Sequence, residues 1–96
     1  MQVITKKRLR EFWERYPSAK PALDAWYQIA KRAEWMNFAD VRGTFNTADQ
    51  VGRFVVFNIG GNKYRLIAVI HFNRQRLYIR HVLTHAEYDK GKWKYD

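Results

Sequence analysis

The chain has 96 residues, 47% of them apolar and none of them cysteine, so it is too apolar for a disordered segment and has neither disulfides nor thiolate metal sites. Eighteen Lys and Arg against nine Asp and Glu leave a net charge of +9, which points to a polyanionic or acidic protein partner. The opening "MQVITKKRLREFW" has no signal-like apolar run and no stretch approaches the ~20 apolar residues of a membrane span, so a single domain over 1–96 in the cytoplasm, with no membrane partner, is expected.

In chain order, "QVIT" alternates polar and β-branched residues and predicts a short strand. Thr5 then caps a helix whose stripe runs Leu9, Phe12, Trp13 and Tyr16, at i, i+3, i+4 and i+7. Pro17 ends it. Ser18 caps a second helix, with Pro21 tolerated in the first turn and a face through Ala22, Leu23, Trp26, Tyr27, Ala30 and Ala33. From Asn37 to Gly52 no period is sustained, which predicts a loop with a single helical turn around Ala39 to Arg42. Three strand runs follow: "RFVVFNI", "KYRLIAVIHF" and "LYIRHVLT". The first two are joined by "GGN", a hairpin signal because Gly and Asn accept positive φ, and "NRQR" makes the next turn. The fold class is α+β, in the order βααβββ, with a helical hairpin on one face of an antiparallel sheet and a short helical turn at the C-terminus. The other face then has no layer over it, and a ligand is expected there.

Strand alternation puts Tyr64, Leu66, Ala68, Ile70 and Phe72 on the core face and Lys63, Arg65, Ile67, Val69 and His71 on the other. On the third strand, Leu77, Ile79, His81 and Leu83 oppose Tyr78, Arg80, Val82 and Thr84. Arg65 and Arg80 therefore share the uncovered face, subject to register. The closing "THAEYDKGKWKYD" supplies one helical turn on which His85 and Tyr88, at i and i+3, project together beside these arginines. Lys90, Lys92 and Lys94 fringe that turn; the last two lie past Gly91 and serve docking rather than chemistry. Cleavage of a phosphodiester by its own 2′-hydroxyl needs this mixture. A base takes the hydroxyl proton, cations hold the phosphorane, and an acid protonates the leaving oxygen. Histidine titrates near neutrality and arginine clamps phosphate bidentately, so neither a metal nor a cofactor is called for. His81 and His85 have no carboxylate spaced to complete a metal site, and Gly60–Gly61 reads as a hairpin turn rather than a phosphate loop.

At "VITKKRLREFWERYP", "FNIGGNKYRLIAVIHF" and "LYIRHVLTHAEYDK" the chain resembles the HigB toxins of the RelE/ParE superfamily, over nearly its whole length. The resemblance implies a RelE-like fold and a ribosome-dependent messenger-RNA endonuclease that inhibits growth. Its implied partners are the ribosome, message and a HigA-like helix-turn-helix antitoxin, with operator DNA met only through that antitoxin. It further implies that Arg65 contacts the scissile phosphate, that His85 and Tyr88 stand at the catalytic end of the last strand, and that Lys63, Arg80 and Lys90 bind RNA or ribosome. RelE fills this region with more Arg and Lys where this chain has His85, which leaves the identity of the base open. Two other functions remain at this point: a ParE-like gyrase inhibitor, which does not need His85 and Tyr88 beside Arg65, and a non-catalytic RNA-binding module.

Overall fold

The computed structural model describes residues 1–95; Asp96, the last residue of the expected 1–96 domain, lies outside the described residues. Strand β1 (Gln2–Ile4) leads to helix α1 (Lys7–Arg15), a 3-10 turn at Pro17–Ala19 and helix α2 (Lys20–Arg32). Helix α3 (Phe38–Thr44) and strand β2 (Asp49–Val51) precede the strands β3 (Phe54–Ile59), β4 (Tyr64–His71) and β5 (Arg76–Thr84). Helix α4 (His85–Asp89) and a 3-10 turn at Lys92–Tyr95 close the described chain. The sheet runs β1-β5-β4-β3-β2, and β1 lies parallel to β5 while the other neighbours are antiparallel. The α+β class and the helical hairpin on one sheet face are as expected. The segment from Asn37 to Gly52 is more ordered than a loop with one turn. Asn37 caps α3 by accepting from the Asp40 amide, and β2 adds an edge strand against β3.

Burial, not capping, holds the two long helices. Leu9 and Phe12 of α1 and Leu23, Trp26 and Ala30 of α2 join Val55, Phe57, Ile59, Leu66, Ala68, Leu77 and Ile79 in one core. Each large side chain buried there contributes about 1.5–3 kcal/mol, more than the ~1 kcal/mol of a typical cap. The helices start without side-chain caps, which corrects both expected assignments. Thr5 sits at φ +65, outside the range of a cap, and its Oγ1 donates to the Ile79 carbonyl (2.8 Å) and accepts from the Ile79 amide (3.1 Å). It pins the end of β1 to β5. Ser18 Oγ lies 2.9 Å from the Tyr64 hydroxyl, and that ring packs on Phe12. At the other end of α2, the Met1 amine donates to the carbonyls of Ala30, Lys31 and Ala33, in the last turn of the helix and just past it.

The β3–β4 hairpin turns where expected, with Gly60 at φ +62 and Gly61 at φ +70, a region that side chains with a Cβ enter only at a cost. Between β4 and β5 the register jumps: Ile67 pairs with His81 and Ala68 with Ile79, so Arg80 is a bulge residue. Past the bulge the alternation is reset. His81 opposite Ile67 and Leu83 opposite Arg65 lie on the face away from the helices, while Val82 packs into the main core. Strict alternation had placed them the other way round.

Candidate active site

The face away from the helices is partly covered, which corrects the expectation of a bare face. Trp93 packs on Phe54, Val56 and Ile67, with Val51, Val69, Leu83 and Tyr88 around them. The segment after β5 reaches this position through a short, well-specified helix. Thr84 caps α4: its Oγ1 accepts from the Glu87 amide (3.2 Å), and Glu87 Oε1 accepts from the Thr84 amide (2.9 Å). Such a capping box satisfies two otherwise orphaned donors. Gly91 then takes φ +72, which an L side chain resists, and its amide donates to the Tyr88 carbonyl. The reversal sends Trp93 back onto the sheet, where its indole N–H donates to the Tyr88 carbonyl at 3.1 Å. Replacing Thr84 with alanine is expected to cost about 1 kcal/mol, read as a lower urea midpoint at unchanged slope, with Thr84→Ser close to the parent. An alanine variant as stable as the parent sinks this role for Thr84.

Arg65 occupies the centre of the arrangement. It is on the predicted face, yet only 8% exposed, because α4 lies over it. Its Nη1 donates to the carbonyls of Asn62 (3.3 Å) and Tyr64 (3.1 Å), and its Nη2 donates to Asn62 Oδ1. These bonds use three of the five guanidinium donors. The guanidinium carbon stands 5.3 Å from the centre of the Tyr88 ring. That ring stacks on Trp93 at 5.2 Å and 13°, and Trp93 meets Phe54 edge-on at 5.7 Å. A guanidinium over an aromatic face contributes about 0.5–2 kcal/mol, rising with desolvation.

His85 opens α4, and its amide donates to the Lys63 carbonyl at 3.1 Å, which ties the helix to the start of β4. Its Nδ1 lies 2.9 Å from Asp89 Oδ2, and its side chain is 44% exposed. A Nδ1–H···carboxylate bond leaves Nε2 as the acceptor nitrogen of the neutral ring. Lys63, Lys90, Lys92 and Lys94 are exposed around this region. Lys94 Nζ stands 5.7 Å from the Trp93 ring, and Lys90 and Lys92 line a groove of about 460 Å³ with His81, Leu83 and Glu87.

Arg65, in contact with Tyr88, and His85, on the same short helix as Tyr88, are therefore at one end of the sheet face. Arg80 is not. It precedes Leu83, the partner of Arg65, by three strand positions, or about 10 Å, and lines a different cleft. His81 and Glu87 were missed as site residues. Glu87 follows Thr84 by three, a spacing that signals a capping box, whereas nothing in the sequence announces the bulge that turns His81 to this side. Among the described residues, no group of three or more His, Asp or Glu is placed to hold a metal ion, and no helix is long and apolar enough to cross a membrane.

Comparison with known proteins gives a consistent answer. The profile of the HigB_toxin family, described as the RelE-like toxic component of a toxin–antitoxin system, matches residues 19–91. The chain is 35% identical over 92 residues to the mRNA interferase toxin HigB of Escherichia coli (strain K12), covering 93% of this chain and 88% of that protein. The mRNA interferase HigB of Shigella flexneri matches with the same identity and coverage. That of Escherichia coli O6:H1 is 32% identical, over 94% of this chain and 90% of its own length.

Proposed function

The chain belongs to the HigB family of RelE-like toxins, and on that premise we propose that it is an endoribonuclease that cuts messenger RNA on the ribosome. As the toxic component of a toxin–antitoxin system it has an antitoxin partner. In this reading the antitoxin is a HigA-like helix-turn-helix protein, the chain acts as one cytoplasmic domain over 1–96, and cleaving translated message arrests growth. The observation that carries the reading is the buried Arg65 guanidinium held over the Tyr88 ring, with His85 three residues earlier on the same short helix.

The proposed reaction uses side chains alone. His85, oriented by Asp89 through Nδ1, presents Nε2 to take the 2′-hydroxyl proton. The oxygen attacks the adjacent phosphorus, and the remaining Arg65 donors hold the charge that builds on the phosphorane. Tyr88, its ring fixed between two stacking contacts, directs its hydroxyl to the leaving 5′-oxygen. Lys63, Arg80, Lys90, Lys92 and Lys94 bind RNA phosphates of message or ribosome. A gyrase inhibitor on this fold has no use for that grouping.

Two or three catalytic side chains are a thin set for a ribonuclease acting alone. The ribosome supplies the missing orientation of the message, an effect that can reach ~7 kcal/mol or more. Single-turnover cleavage of one message, free and on programmed ribosomes, tests this. The ribosome-bound message is expected to be cut faster by several orders of magnitude, and equal rates would mean a free ribonuclease. His85→Ala is expected to lower the ribosome-bound rate at saturation, by ~10²–10⁴, without weakening ribosome binding.

A further inference from the structure

At the far end of the same sheet face Arg8 of α1, Arg53 just before β3 and Arg80 of β5 converge on one cleft of about 350 Å³, together with Thr5, His71 and Tyr78. Three guanidinium side chains from three separate elements face one small space. Its lining is the most cationic of the four clefts described, since Glu87, Asp24 and Glu11 each line one of the others. The convergence is built rather than incidental. Thr5 is held at φ +65 by its two bonds to Ile79, and this fixes where α1 begins and so where Arg8 stands. The Arg8 side chain is exposed and makes no hydrogen bond or ion pair among the described residues. His71 and Tyr78 meet edge-on at 5.3 Å beside it and offer an aromatic surface of the kind on which bases stack.

The cleft is connected to the proposed catalytic end. Arg53 lies over Phe54 at 4.9 Å, Phe54 meets Trp93, Trp93 stacks on Tyr88, and Tyr88 carries Arg65. Along β4 the distance from Arg65 to Val69, which pairs with Tyr78, is four residues or about 13 Å. We propose that this cleft is a second phosphate site, which holds the backbone of the substrate RNA away from the scissile bond while the strand passes over the face between the two. The site rests on the ribonuclease reading for the identity of its RNA. Its ligand chemistry is a single-stranded phosphodiester, because guanidinium clusters recognise phosphate and adjacent rings accept bases.

The test is the binding of a fluorescein-labelled, uncleavable 2′-O-methyl oligoribonucleotide to purified protein at several salt concentrations. Arg8→Ala with Arg53→Ala is compared with Arg10→Ala with Arg32→Ala, an equal loss of charge at exposed positions of the helices. The first pair is expected to weaken binding at least tenfold and to flatten the log–log salt slope by about 1.4, two contacts at ~0.7 each. The second pair should stay close to the parent. Equal weakening by both pairs, or none by either, overturns the proposal. So does unchanged RNA binding with weakened antitoxin binding, which would make the cleft a protein-docking surface. Because the probe cannot be cut, a parent protein that binds it with the expected selectivity but cleaves no message would retain the cleft and refute the ribonuclease reading instead.

Discussion

Replacing Arg65 with alanine is expected to lower the saturated cleavage rate by ~10²–10³ and, independently, to destabilise the fold. The sequence places Arg65 on an outward face, where truncation should cost little stability. The structure makes it a buried tie instead, with bonds to Asn62 and Tyr64 and a stacking contact to Tyr88. Losing those bonds leaves acceptors near the β3–β4 turn without their donor, at about 1–3 kcal/mol. In a chain of this size that lowers Tm by roughly 5–15 °C. Two measurements separate the roles: a thermal melt, and a single-turnover rate taken well below the variant's own Tm. Arg65→Lys sharpens the distinction, since it keeps the charge but loses the planar fork, and should recover stability more than rate. An alanine variant that melts with the parent sinks the structural role. One that is folded and cuts at the parent rate sinks the catalytic one.

Trp93→Ala is expected to be the most destabilising single change on this face. Trp93 is 4% exposed and joins Phe54, Val56 and Ile67 of the sheet to Tyr88 of α4. Truncating a buried Trp costs about 3–5 kcal/mol, here at the lower end because the cluster is small and open on one side. Tm should fall by roughly 10 °C or more, and Tyr88 should lose the partner that holds its ring. Cleavage should drop with it even at temperatures where the sheet remains folded, whereas Trp93→Phe should restore much of both. Calorimetry alongside limited proteolysis after β5 reads the two effects, and a variant with unchanged melting and protection would show that Trp93 lies on the sheet without holding it.

The elements that repeat were legible in the sequence. The stripe of Leu9, Phe12, Trp13 and Tyr16 and the alternation of Tyr64 through Phe72 follow from periods of 3.6 and 2, which tertiary contacts reinforce. The caps were misread because Thr5 and Ser18 found partners, Ile79 and Tyr64, that no local pattern reveals. Helix α3 and strand β2 are too short to show a period. The contact of Arg65 with Tyr88 was legible, since strand parity and helical spacing predict it, as was the placing of His85 on the helix of Tyr88. The burial of Arg65 was not, because its cover comes from residues more than twenty positions later, and a predicted helical turn does not announce that it folds over the guanidinium. His81 went astray because a bulge inserts a residue without leaving a signature in composition, whereas Arg80 keeps its expected face and is set apart from Arg65 only by its place along the strand.

The pairing of β1 with β5 has a kinetic meaning. The Arg65 end of the face is assembled from Phe54 to Trp93, through two hairpins and a helix that follow one another along the chain. The arginine cleft also needs Arg8, whose position depends on Thr5 meeting Ile79, 74 residues away. Contacts of such separation carry a larger loop-closure entropy and form late, whereas consecutive hairpins zip early. Contacts of the arginine cleft are therefore expected to form later in folding than those around Arg65, because they close the longest loop in the described chain.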